Sequence, residues 1–229
     1  FIADKVFPAL PVAKQTNLYR VYTKNDWFRD DMKRLGPGAE SFETGYGLST
    51  ASYSCDVFAI GHVIDDQDRA NYDEPGDPET DATELLTQLA LIRRERQWVA
   101  DFFSTSIWGT DKTGTTDFVK WSDQAGSDPK GDIHTGKLTV LQNTGFEPNT
   151  LVVGYATHQA LQRHPLIREQ FKYTSAESIN EAMLARYFEV DKYMVSRGSY
   201  ATNTEGATAA FSMIAGDNAL LVYAAPSPS

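Results

Sequence analysis

Cysteine is nearly absent: Cys55 stands alone in 229 residues. A disulfide within the chain is therefore excluded, as is a thiolate cluster for zinc, and the usage fits synthesis in a reducing cytosol. Positive charge is also scarce, with 21 Lys and Arg against 31 Asp and Glu, a formal net charge of -10. A dedicated nucleic-acid binder neutralises phosphates with clustered Lys and Arg, so any contact with DNA is expected to be weak and non-specific. Long apolar runs are missing too. No stretch approaches the run of about 20 residues that spans a bilayer, and "FIADKVFPALPVAKQ" has neither the basic start nor the apolar middle of a signal peptide. No membrane association or export is expected.

Catalytic signatures are wanting as well. "GTDKTGTT" from Gly109 resembles a phosphate loop but places Thr115 where the pattern needs Lys. "DDQDRANYDEPGD" has the acid density of a calcium loop, yet the sixth position from Asp66 is Asn71 rather than Gly and no Glu closes it. His158 and His164 are six apart, off the i, i+4 spacing of a zinc helix, and read as surface or rim residues. There is no G-x-S-x-G elbow, and Cys55, inside a strand pattern, reads as a small hydrophobe rather than a nucleophile. Asp65 and Asp66 are adjacent, so on an extended chain they point to opposite faces. No catalytic, cofactor-binding or metal-ligating residue is assigned, and no enzyme activity is expected.

What the chain does have is a sequence of unlike textures. Pro8 and Pro11 make residues 1 to 17 an extended arm. "NLYRVYTK" and "ASYSCDVFAIGHVI" alternate as two strands, the second placing Ala51, Tyr53, Cys55, Val57 and Ala59 on one face. Between them "RLGPGAE" packs Gly36, Pro37 and Gly38 into a turn. A two-stranded ribbon is marginal alone in water, so it must lie on another surface.

An acidic run leads to Asp77 as N-cap and Pro78 at the first helical position. The helix that follows, "PETDATELLTQLALIRRERQWVADFFS", carries Ala82, Leu85, Leu86, Leu89, Ile92, Val99, Phe102 and Phe103 near the helical period. It would run roughly 40 Å. Arg93, Arg94 and Arg96 either meet a neighbour's carboxylates or DNA, or pair within the chain with Glu95 or Asp101. A polar loop with Trp108 and Trp121 follows. From residue 131 helix and strand alternate: "DIHTGKLTVLQNTG" as a helix closed by Gly145, "PNTLVVGY" as a buried strand, "YATHQALQRHPLIREQF" and "SAESINEAMLARYF" as helices, "VDKYMVSRGSY" and "ALLVYAAP" as strands.

The segments "FIADKVFPALPV", "GPGAE", "DDQDRAN", "DPETDATELLTQLALIRRERQWVADFF", "PNTLVVG" and "ALLVYAAPSPS", in that order, resemble the major capsid proteins of tailed bacteriophages with the HK97-type fold. The likeness covers essentially the whole chain. It implies an α+β fold: an N-terminal arm at 1–18, an extended β-ribbon loop at 19–62, a peripheral domain at 63–130 with its spine helix at about 78–104, and an axial domain at 131–223. Residues 224–229 would begin a return to the peripheral domain.

The resemblance further implies a structural subunit that assembles with copies of itself into hexamers and pentamers. These would form the icosahedral head around a double-stranded DNA genome, with portal, scaffold and decoration proteins as further partners. The subunit would be made in the host bacterial cytoplasm and end in the virion. Arg34, Gly36, Pro37, Gly38 and Glu40 at the ribbon tip would lie at a subunit interface; without the resemblance they read as an exposed turn. An encapsulin-like compartment of the same fold is the alternative. A hydrolase or binding protein built on the acidic stretch 65–84 is a third reading, from another class.

Overall fold

A computed structural model of the chain describes residues 1–72, 76–172, 179–204 and 206–227. Its contacts divide the chain into two compact units: Leu10–Ala59, and Phe1–Ala9 together with Ile60–Ser229.

The smaller unit is the ribbon. Its strands β1 (Thr16–Tyr22) and β2 (Leu48–Ser54) are antiparallel and in continuous register from Thr16 opposite Ser54 to Tyr22 opposite Leu48, with the short helix α2 (Lys24–Trp27) at the far end of β1. The strand expected over 51–64 stops at Ser54. One further exchange joins Gln15 and Cys55, through the Cys55 N–H to the Gln15 carbonyl at 2.8 Å. Beyond it the facing segment heads into Pro11 and Pro8, which have no N–H for a ladder. Cys55 is accordingly exposed at the strand end rather than packed as a small hydrophobe.

The larger unit opens with a turn of helix, α1 (Ala3–Val6), where an extended arm was expected. Another short helix, α3 (Asp66–Asn71), lies in the acidic run and was not foreseen. The long helix α4 (Pro78–Phe102) follows as read: Pro78 opens it and the Asp77 carboxylate accepts from the Glu79 N–H. Its fully buried residues lie in its C-terminal half. Leu85 and Leu89 near its start are exposed, whereas Glu95 and Trp98 are buried.

Helix α5 (Pro129–Thr144) is capped by Asp128 at one end and by Gly145, in the left-handed region, at the other. Strand β3 (Thr150–Gly154) is buried throughout. The single helix expected over 155–171 is two, α6 (Tyr155–Arg163) and α7 (Pro165–Phe171). Pro165 holds His164 in extended backbone and so breaks the apolar period that spans both. Helix α8 (Glu181–Phe188) covers the later part of the next expected helix, whose residues 175–178 lie outside the described residues. Strands β4 (Lys192–Ser196), β5 (Ser199–Ala201), β6 (Phe211–Met213) and β7 (Ala219–Val222) complete the chain.

The central sheet runs β4-β3-β7, parallel between β3 and β4 and antiparallel between β3 and β7; β5 and β6 form a separate small hairpin. Because successive strand residues point to opposite faces, β3 feeds two cores. Leu151 and Val153 join Leu161, Ile167, Leu184 and Phe188 from the helices on one side. Val152 joins Val222, Trp98, Ile2 and Val6 on the other. The C-terminal half of α4 thus shares a core with the sheet.

Candidate subunit interface

The ribbon holds its shape by local polar contacts. The Asp26 carboxylate accepts the Gly47 N–H at 2.7 Å and the Arg29 guanidinium at 2.5 Å, and Asp31 accepts the Thr44 hydroxyl at 2.9 Å. The Gly47–Asp26 and Thr44–Asp31 bonds tie the two limbs of the insert together between α2 and β2. At the tip the Ala39 N–H donates to the Gly36 carbonyl at 3.2 Å with Gly38 at φ +80°, a turn that needs Gly at its third position and suits Pro37 at its second. Arg34, Gly36, Pro37, Gly38 and Glu40 are all exposed.

Reading for the tip overlooked a richer feature nearby. Tyr22, Trp27 and Tyr46 form a mutual aromatic cluster, with ring centroids 5.7–6.3 Å apart. With Asp26, Thr44 and Gly45 they line an open groove of about 540 Å³. The signal was present in the sequence, since Trp27, Phe28, Phe42 and Tyr46 crowd an insert that has no apolar period of its own.

No residue of Leu10–Ala59 is buried, and Met32 and Val57 are 94% and 83% exposed. Exposed apolar side chains in this number are a feature of surfaces that meet a partner. Chemically the ribbon offers aromatic faces, backbone edges and a few charges. That composition suits recognition rather than bond making.

The larger unit corrects several expectations. His158 and His164 are buried, not rim residues. His158 Nδ1 shares a 3.0 Å hydrogen bond with the Tyr193 hydroxyl. The Ser127 hydroxyl donates to the Asp123 carbonyl at 2.6 Å, so it accepts from His164 Nε2–H at 3.0 Å and leaves His164 Nδ1 without a partner among the described residues. Burial pushes both imidazoles below their ordinary pKa, against the opposing pull of Glu181 on His158 and Asp128 on His164. It pushes the Tyr193 phenol well above its own.

Arg94 bridges to Asp4 rather than to Glu95 or Asp101, and Arg96 stacks 4.3 Å over the Tyr200 ring. Asp101 instead accepts from Gln97. In "GTDKTGTT" the Thr113 N–H goes to the Asp117 carboxylate and the Thr115 N–H to the Phe118 carbonyl, so an acid occupies the loop. In the acidic run Asp77 caps α4 and Arg69 joins Asp66 and Glu79; Asp73 and Glu74 lie outside the described residues.

Comparison with known proteins settles the family. The major capsid protein of Burkholderia phage BcepMu is 30% identical over 97% of this chain, and the chain spans 71% of that relative. The chain belongs to the major capsid proteins of bacteriophages. A second relative, the major capsid protein of Pseudomonas phage JBD67, is 26% identical over 85% of the chain, which spans 62% of its length. A crystal structure of a phage-related protein from Bordetella bronchiseptica RB50 superposes on 99% of the chain at a TM-score of 0.70 and 26% identity, over 73% of that structure. No family model matches. The α+β architecture agrees with membership among these capsid proteins, and the named relatives give no support to the compartment alternative or to the hydrolase reading.

Proposed function

We propose that this capsid protein builds the head of a tailed phage as an HK97-type subunit, assembling into hexamers and pentamers that close into an icosahedral shell around double-stranded DNA. In this reading the ribbon lies on a neighbouring copy, which supplies the second layer it lacks. Residues 63–130 form the peripheral domain and 131–223 the axial domain. The role is architectural, without catalysis or cofactor. Portal, scaffold and decoration proteins are the further partners, and the net charge of -10 keeps contact with packaged DNA weak and non-specific. Among the described residues no helix is long and apolar enough to cross a membrane. Synthesis belongs to the host cytoplasm and the finished protein to the virion.

The observation that carries the reading is a unit, residues 10–59, that pairs Thr16–Tyr22 with Leu48–Ser54 in continuous antiparallel register and has not one buried residue. Its test is electron microscopy with sedimentation of the purified chain, wild type and variant. Wild type is expected to give closed shells or rings of five or six. Trp27→Ala with Tyr46→Ala should cut assembly more than tenfold with the circular dichroism unchanged, because buried aromatic anchors dominate interfaces at about 2 kcal/mol or more each. Arg34→Ala should cost less, since exposed ion pairs contribute about 0–1 kcal/mol. A strictly monomeric wild type across salt and concentration, or shells indifferent to loss of both aromatics, overturns the assignment of the ribbon.

A further inference from the structure

The carboxylate of Glu95 is fully buried in the later half of α4, and the donors that meet it among the described residues are neutral. Its Oε2 accepts the N–H groups of Ile2 and Ala3, each at 2.9 Å, and its Oε1 accepts the Ser196 hydroxyl at 3.0 Å. Ile2 is the N-cap residue of α1 and makes no side-chain cap of its own. A helix begins with N–H groups that have no intrahelical partner, normally satisfied by a Ser, Thr, Asp or Asn at the cap. Here that service comes from a residue 92 and 93 positions away in sequence. One turn of helix is also far too short to persist by itself, because nucleation costs more than a single turn returns.

We infer that Glu95 is a long-range capping residue within the chain and a latch: Phe1–Ala9 is a strap that becomes helical only when docked on α4 and the sheet, and it detaches as a unit without unfolding the sheet. Ile2 and Val6 of the strap are buried in the core that Val152, Leu220 and Val222 build on that face of the sheet, so detachment uncovers the face. Asp4 meets exposed Arg94, and Phe7 sits in a socket of Trp98, Phe102 and Trp108, with ring centroids 4.9–6.4 Å away. Undocking would return the carboxylate to water, offsetting the loss of its bonds. A buried carboxylate therefore lowers the net gain from docking below what Ile2, Val6 and Phe7 would give by themselves. The inference is independent of how the ribbon is used.

Native-state hydrogen exchange on the full chain tests it. In wild type the amides of Ile2–Val6 should exchange through an opening that leaves Leu151–Val153 protected. In Glu95→Gln, whose one amide oxygen can still meet both strap N–H groups but carries no charge, strap exchange should accelerate about tenfold, in line with losing the charge assistance of those bonds. Ser196→Ala, which leaves both strap bonds in place, should change it less than threefold. Strap and β3 amides exchanging together in wild type would overturn the proposal without recourse to any variant. So would strap protection unchanged in Glu95→Gln, or equal acceleration in Ser196→Ala.

Discussion

At the scale of single residues, the two buried histidines make the protein less stable toward mild acid. Their folded pKa values lie below the ordinary imidazole value, so the native state holds them neutral while the unfolded chain titrates near pH 6.5. Below that pH the unfolded state binds more protons, and stability falls as pH drops from about 6.5 toward the folded values. Each histidine costs at most about 1.4 kcal/mol per pH unit in that window. Urea midpoints at pH 7.5 and 5.5 should show the loss, and His164→Gln should flatten it; a midpoint that rises on acidification would contradict the burial. Neither residue betrayed its burial in sequence. His158 is covered because β4 brings Tyr193 against it, and His164 because Ser127, 37 positions earlier, folds over it. Glu95 was more legible than it was read to be. It falls three residues before Trp98 and three after Ile92, on the apolar stripe, where an acid is out of place unless something donates to it.

At the scale of elements, periodicity and caps were faithful guides. Helix α4 begins at the residue marked by Asp77 and Pro78, and β3 is the buried strand its apolar run announces. Failures came where a pattern continued past its partner. Alternation in 55–64 found no facing strand, and the apolar period across α6 and α7 ignored the proline between them. Phe211–Met213 is three residues long, too short for any pattern to register. The join of β3 to α6 depends on close backbone approach that no single-sequence pattern announces: a Cβ on Gly154 would sit 1.9 Å from the Gly216 carbonyl oxygen. Gly154→Ala must push two backbone segments apart and should destabilise by about 3 kcal/mol. A thermal melt that moves by less than a degree would show the junction to be slack.

At the scale of the whole molecule, the two units differ in kind. The larger has two cores, one on each face of β3; the smaller has hydrogen bonds and rings but no buried residue. Segments with few buried contacts open first and are cut first. Limited trypsin treatment of the unassembled chain should therefore cleave within Leu10–Ala59, at Arg20, Arg29 or Arg34, well before the sheet-bearing unit yields. The same sites should resist in assembled particles; equal cutting in both states would mean that the ribbon stays uncovered.

The uncovered ribbon also bears on supply. Between synthesis and assembly each chain displays two unpaired strand edges and a run of apolar side chains, the features by which soluble proteins precipitate. Every copy in the pool exposes the same surface, so crowding of identical chains raises the rate of wrong encounters together with the rate of right ones. Timing and dosage then govern yield: a slow, dilute supply favours ordered growth, and a burst of expression favours inclusion bodies.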